Sequence, residues 1–355
     1  MKLLITGAAG FIGHSLIKKC VKHGHEVLGI DNINDYYDVR LKHARLLDQG
    51  FNNIEDRKIH ESDIHHNLSF LKMDLNNRDQ CCQLFKNHTF DVIIHLAAQA
   101  GVRYSLSHPH AYIDSNIGGF INILEGARQL HVKHLVFASS SSVYGLNQAQ
   151  PFQTSHHTDH PVSLYAATKK SNEMMAHAYS HLYGIPITGL RFFTVYGPWG
   201  RPDMAPMLFM DAMLKQKPIK IFNQGQMYRD FTYIDSIIEG CYKVVNNAPT
   251  QSTTWLPLDP KPNHSSAPYR IFNIGGQSKV KLMTFIEKLE EVVGRSAIKH
   301  YHEMQQGDVV STEADMTDFN DTFGPLSRVD LSNGIRSLFD WYQSYLKQEN
   351  QIYAC

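Results

Sequence analysis

Among 355 residues there are only five cysteines, Cys20, Cys81, Cys82, Cys241 and Cys355, and no CxxC pair. Thiols scattered in this way indicate neither a zinc knuckle nor a disulfide framework, and a reducing compartment is the simplest reading. Charge of one sign is also missing: 34 basic side chains meet 34 acidic ones, with no long block of either. Nucleic acid or an anionic membrane as main partner therefore has no electrostatic basis, although local arginines can serve a small anion. No apolar run reaches the length of a membrane span. MKLLITGAAG runs directly into a strand pattern and leaves no room for a signal peptide, so the chain is expected to be soluble and cytoplasmic. Internal repeats and extended low-complexity tracts are absent too.

Histidine, by contrast, is abundant at 21 residues, and HHTDH at 156–160 invites a metal reading. That segment lies among Pro, Thr, Ser and Gln, with no HExxH helix or compact Cys/His spacing, so a solvated loop is expected there, as at His65 and His66, and no metal. With 43% hydrophobic residues the chain can bury a sizeable core in one large or two modest domains.

Short apolar runs alternate with helical patterns through the first half, as a parallel sheet with crossover helices requires. The expected strands are 2–6, 26–31, 69–74, 91–97, 134–139 and 187–193, and their near-continuous apolar character implies burial on both faces. The fold class is α/β: a Rossmann-type doubly wound parallel sheet over 1–194, with a smaller C-terminal α/β substrate-binding domain over 195–355. RIFNIGG at 270–276 is expected to return a strand to the first domain. The polar stretch at 52–67 is an insertion without a clear pattern.

Strand KLLIT leads into GAAGFIG, where Gly7, Gly10 and Gly13 open a helix whose first amides can face a pyrophosphate; Phe11 and Ile12 belong to the same turn. The second strand ends at Asp31, followed by Asn32, about twenty residues beyond the glycines, where a carboxylate accepts hydrogen bonds from the adenosine ribose. A carboxylate there repels a ribose phosphate, so NAD is favoured over NADP. Asp74 and Leu75 after the third strand are candidates for flanking the adenine. Leu96, Ala97, Ala98 and Gln99, in HLAAQAG, offer small residues where a dinucleotide must approach closely.

In SLYAATKKSNE, Tyr165 and Lys169 share one helical face. A free phenol has a pKa near 10, too high for an efficient base at neutral pH. A nearby cation stabilises the phenolate and moves the phenol toward the working range. The serines of FASSSSVYG, upstream at a strand end, can share a substrate proton.

Taken in order, GAAGFIG, Asp31, the serine cluster, YAATK and RFFTVYGPWGRPDM resemble the extended short-chain dehydrogenase/reductase family of nucleotide-sugar enzymes, over nearly the whole chain. The last stretch looks most like the UDP-glucuronate 4-epimerase branch. The resemblance implies Tyr165 as base and acid, Lys169 holding the nicotinamide ribose and lowering the tyrosine pKa, and Ser140 bonding the sugar 4-hydroxyl, with Ser141 and Ser142 as alternatives or helpers. It places Asn116 near the nicotinamide. Many relatives carry asparagine where this chain has Thr194; with Arg201 this threonine is expected to hold a substrate carboxylate, a task suited to the planar fork of arginine. Arg229 is matched to the diphosphate, Asp308 to the uridine ribose, and Arg103 to the substrate.

The expected activity is NAD-dependent, reversible 4-epimerisation of a UDP-hexuronic acid, UDP-glucuronate to UDP-galacturonate, through a 4-keto sugar, in a homodimer. A UDP-glucuronate decarboxylase, an epimerase of another UDP-hexose and a non-catalytic NAD-binding scaffold are the alternatives. A 4,6-dehydratase fits less well, because relatives with that chemistry place Asp and Glu where this chain has Ser141 and Ser142.

Overall fold

The computed structural model describes residues 1–352; Cys355 lies outside them. An eight-stranded sheet is built from β1 (Lys2–Thr6), β2 (Glu26–Asp31), β3 (Ile59–Glu61), β4 (Leu68–Lys72), β5 (Val92–His95), β6 (His134–Ser140), β7 (Ile187–Phe192) and β11 (Tyr269–Ile274). Their spatial order is β11-β7-β6-β5-β1-β2-β4-β3, and every pairing is parallel except β3 with β4. From β1 the chain winds one way through β2 and β4, then returns through β5, β6 and β7 on the other side. The sheet therefore reverses between β1 and β5, and a crevice opens at the carboxyl ends of these strands.

Six strands fall where their apolar runs predict, because a strand covered on both faces must be apolar throughout. β3 was not anticipated. It lies inside the polar insertion, is half-buried or exposed, and sits at the sheet edge, so no hydrophobic pattern marks it.

The Phe11–Lys22 helix buries Phe11, Leu16, Ile17, Cys20 and Val21 against the sheet. Its close approach needs two glycines. Gly7 has φ +75°, and a Cβ on Gly13 would lie 2.0 Å from the Gly7 carbonyl oxygen.

Beyond residue 193 the chain builds a second layer: a three-stranded sheet of β8 (Thr194–Tyr196), β10 (Tyr228–Tyr233) and β12 (Lys279–Lys281), and a two-stranded one of β9 (Pro218–Ile221) and β13 (Ile298–Tyr301). These segments do not stay together. The Ile234–Val245 helix goes back to pack on the Phe11–Lys22 helix, and β11 pairs with β7 along its full length. One buried apolar cluster runs from Leu3 and Ile5 through Phe193 to Phe231 and Phe285, joining the layers.

Two buried arginines brace the structure around the crevice, the first across the two layers and the second within the first layer. Arg45 donates to the Ala9 carbonyl (2.9 Å) and to the Trp199 carbonyl (2.6 Å), tying the glycine turn to the 197–204 loop. Arg191 on β7 bonds Glu173 through Nε and Nη2, both at 2.8 Å, with Ser139 donating to the same carboxylate at 2.7 Å. Among the described residues no helix is long and apolar enough to cross a membrane. No group of three or more His, Cys, Asp or Glu among them is arranged to hold a metal ion.

Candidate active site

A cavity of about 350 Å³ occupies the crevice at the sheet reversal. One end is the glycine turn, with Gly7, Gly10, Phe11, Ile12 and Gly13 on its wall. The helix that starts there has Gly10 as N-cap, no side-chain cap and no acidic residue in its first turn. Its leading amides are thus free of side-chain competition and face an anion favourably.

Asp31 reaches the same wall with its carboxylate already oriented: Ala9 N–H donates to one oxygen (3.1 Å) and Ile33 N–H to the other (2.8 Å). Each oxygen keeps a lone pair for a ribose hydroxyl. Asn32 donates to Asp74 at 3.1 Å, and both border the cavity beside Leu75. On the opposite side Leu96, Ala97, Ala98 and Gln99 follow β5, so close to the turn that a Cβ on Gly7 would lie 2.9 Å from the Ala97 nitrogen. The Gln99 amide nitrogen Nε2 is buried and, among the described residues, makes no hydrogen bond of ordinary geometry. A long, narrow cradle with an open helix end, an oriented carboxylate and an orphaned buried donor fits a dinucleotide.

Asn116 does not reach this wall. It is buried in a π-helical turn, Ile113–Gly118, and its amide grips the Gln99 backbone, accepting from N–H (2.8 Å) and donating to C=O (3.0 Å). It also donates to Thr168 at 3.0 Å. The wider turn swings Asn116 behind the wall and leaves Ser115 on it. Asn116 thus stands directly behind Gln99, which lines the cavity.

Tyr165 and Lys169 both line the far end. They stand one turn apart on the Leu164–Tyr183 helix, which begins where Ser163 accepts from Ala166 N–H at 3.1 Å. Lys169 Nζ donates to the Ala138 carbonyl at 2.9 Å, and burial pulls its pKa down to about 8. Burial pushes the Tyr165 phenol up; a hydrogen bond with Ser140 and the charge of Arg201 act the other way. Here the Lys169 ammonium is directed at a backbone carbonyl, while the charge of Arg201 acts on the phenol.

Ser140 ends β6, and Ser141 and Ser142 follow it on the cavity wall. Of these three, Ser140 is the one whose hydroxyl acts on the Tyr165 phenol. It also accepts from Ser142 N–H at 3.1 Å, whereas Ser139, engaged by Glu173, anchors the strand to the Tyr165 helix. Thr194 and Arg201 complete this end.

Arg103, Arg229 and Asp308 lie off the main cavity but together. Arg103 Nη2 is 3.5 Å from Asp308, and its guanidinium sits 4.8 Å from the Phe222 ring centre. Arg229 donates to the carbonyls of Tyr228 (2.9 Å) and Val310 (3.2 Å); burial lowers its pKa, Asp308 opposes this and Arg103 adds to it. The patch adjoins the cavity through Val102, which lines it and abuts Gly307.

Tyr36, Lys42 and Asp203 were not picked from the sequence. Tyr36 and Lys42 line the cavity, Lys42 being buried and donating to Asn34 through its carbonyl (2.7 Å) and side chain (2.6 Å). The signal available was NDYYDVRLK, directly after Asp31. Asp203, behind Arg201, carried none beyond proximity in sequence.

Residues 3–275 match the NAD dependent epimerase/dehydratase family. "Protein CapI" of Staphylococcus aureus is 48% identical over 348 residues, covering 98% of this chain and all of that one. The "Probable UDP-glucuronate 4-epimerase" of Rhizobium meliloti is 43% identical over 99% of this chain and all of its own. Among solved structures, UDP-glucuronic acid 4-epimerase from Bacillus cereus, in complex with UDP-glucuronic acid and NAD, superposes with a TM-score of 0.81 at 31% identity, over 97% of this chain and 100% of that one.

Proposed function

This chain belongs to the NAD dependent epimerase/dehydratase family, and from that premise we propose that it interconverts UDP-glucuronate and UDP-galacturonate by inverting C4, with NAD as its coenzyme. One observation carries the reading: a single cavity joins the glycine turn and Asp31 at one end to Tyr165, Ser140, Thr194 and Arg201 at the other. Gly7, Gly10 and Gly13 with the helix start would hold the pyrophosphate of NAD, Asp31 its adenosine ribose, and Lys169 its nicotinamide ribose. When bound, NAD supplies reversible redox chemistry at the sugar C4, so no external oxidant is consumed.

The chain's own part is to move a proton and fix the sugar. Tyr165 Oη takes the proton of the 4-hydroxyl, and Ser140, beside that phenol on the cavity wall, holds the same hydroxyl in line. The resulting 4-keto sugar is planar at C4, so reduction from its other face inverts the centre, and Tyr165 returns the proton. Burial that raises the phenol pKa makes the Tyr165 phenolate a strong base for the 4-hydroxyl proton, and the cationic charge of Arg201 works the other way, helping the phenol to ionise and to give the proton back. Arg229 and Arg103 are suited to the diphosphate and Asp308 to the uridine ribose, placing the nucleotide on the second layer.

A 4-keto-uronic acid is a β-keto acid and loses carbon dioxide when its carboxylate lines up with the carbonyl π system. Arg201 and Thr194 are placed to hold the carboxylate out of that alignment. Incubation with UDP-glucuronate, followed by NMR of the sugar, tests the reading: UDP-galacturonate is expected. UDP-xylose would identify a decarboxylase, and unchanged substrate with bound NAD a scaffold. A homodimer and a cytoplasmic setting belong to the same reading, and light scattering checks the first.

A further inference from the structure

Arg201 is not free to swing. Its Nε donates to Asp203 Oδ1 at 3.0 Å and its Nη2 bonds Oδ2 of the same carboxylate. A third group closes the arrangement from the other half of the fold: Tyr36, shortly after Asp31, donates its hydroxyl to Asp203 Oδ2 at 2.9 Å. The Tyr36 ring stands edge-on to Tyr104, centres 4.8 Å apart, and the Arg201 guanidinium lies 5.8 Å from its centre. Gly101, on the cavity wall with φ +99°, makes room for this contact; a Cβ there would lie 2.4 Å from Tyr36 Oη. Arg201 and Tyr36 line the cavity, whereas Asp203 lies behind them.

A long arginine side chain gains selectivity when its planar fork is held in one orientation before the ligand arrives. Asp203 takes one edge of the guanidinium, so the remaining edge, with Nη1, is the one left for an incoming carboxylate. Tyr36 fixes Asp203, and so fixes the direction of that edge. Because Asp203 also balances the charge of Arg201, recognition here depends on directed hydrogen bonds more than on attraction at a distance.

We propose that Tyr36 and Asp203 are positioning residues that make the site selective for a UDP-sugar with a C6 carboxylate over one with a neutral hydroxymethyl group, by orienting Arg201. The inference rests on the reading of this cavity as a UDP-glucuronate site and adds two residues to it. It also links the two ends of the cavity, since Tyr36 belongs to the segment that carries Asp31.

The test uses purified holoprotein with two variants that keep the net charge, Tyr36→Phe and Asp203→Glu. NAD content and Tm are recorded for each, and calorimetric titration gives the affinity for UDP-glucuronate and for UDP-glucose. The expected result is a loss of about tenfold in UDP-glucuronate affinity for either variant, the scale of one displaced charge-assisted hydrogen bond. UDP-glucose affinity is expected to stay within about twofold, as a hydroxymethyl group makes no ion pair with Arg201. In an Arg201→Ala background, Tyr36→Phe is expected to change neither affinity further. Equal losses for both sugars, an unchanged preference, or a full effect of Tyr36→Phe without Arg201 would each overturn the inference. Wild-type turnover of UDP-glucuronate alongside an unchanged preference in the variants overturns this inference alone. A wild-type protein that neither binds nor turns over UDP-glucuronate overturns the functional reading and this inference together.

Discussion

Replacing Arg191 by methionine tests how the reacting end of the cavity is held. Arg191 is fully buried and Glu173 only 3% exposed, and two hydrogen bonds of 2.8 Å join them. Removing one partner of such a pair leaves a buried charge uncompensated, which costs about 3–5 kcal/mol. Ser139 still donates to Glu173, and Lys170 Nζ lies 3.8 Å away, so the lower end, about 3 kcal/mol, is expected. In a chain of this length that corresponds to a fall in Tm of about 4 °C. Urea unfolding and a thermal scan measure both. The pair also sets the pH dependence. Burial favours the neutral acid, but Arg191 outweighs it and holds Glu173 below its usual value. A depressed carboxyl contributes stability that is complete above its unfolded pKa and is lost as pH falls through the folded one. Wild-type stability should therefore decline below about pH 4.3, with Arg191→Met removing this contribution. Glu173 shares its helix with Tyr165 and Lys169, and Ser139 precedes Ser140, so kcat should fall as well. An Arg191→Met/Glu173→Met double variant should recover most of the lost stability, because the buried charge is gone. A single variant that loses less than about 1 kcal/mol, or a double variant worse than both singles, would refute the reasoning.

Tyr165→Phe should lower turnover of UDP-glucuronate by at least about 10²-fold while NAD stays bound, measured by NMR and by cofactor absorbance. Lys169→Met removes an amine whose pKa burial lowers to about 8. A lowered lysine gives stability that rises between its folded and unfolded pKa values, so wild-type protein should gain relative to the variant from pH 8 toward 10, read by urea midpoints. Asp31→Ala should weaken NAD about tenfold or more and narrow the preference over NADP, checked by equilibrium binding of each coenzyme. Gly13→Ala must displace the Gly7 carbonyl, 2.0 Å from the new Cβ, costing about 1–3 kcal/mol and most of the NAD affinity.

What the sequence could reveal follows from the range of the physics involved. The strands and the Tyr165–Lys169 face are local: double-sided burial writes an unbroken apolar run, and one helical turn writes a four-residue spacing. The order of the glycine turn and Asp31 is equally local, since a strand, a tight turn and a helix start follow one another along the chain. Asn116 illustrates the limit, for a π-helical turn redirects a side chain without any mark in composition.

By itself, then, the chain specified a doubly wound sheet, a dinucleotide end and a phenol with an amine beside it. The folded molecule alone determined which cation acts on that phenol, that Ser140 rather than its neighbours meets it, and that Tyr36, Asp203 and Arg201 come together from segments far apart in the chain. Such contacts arise only when the second layer closes over the strand ends, and distances created by packing have no period in the sequence for a reader to detect.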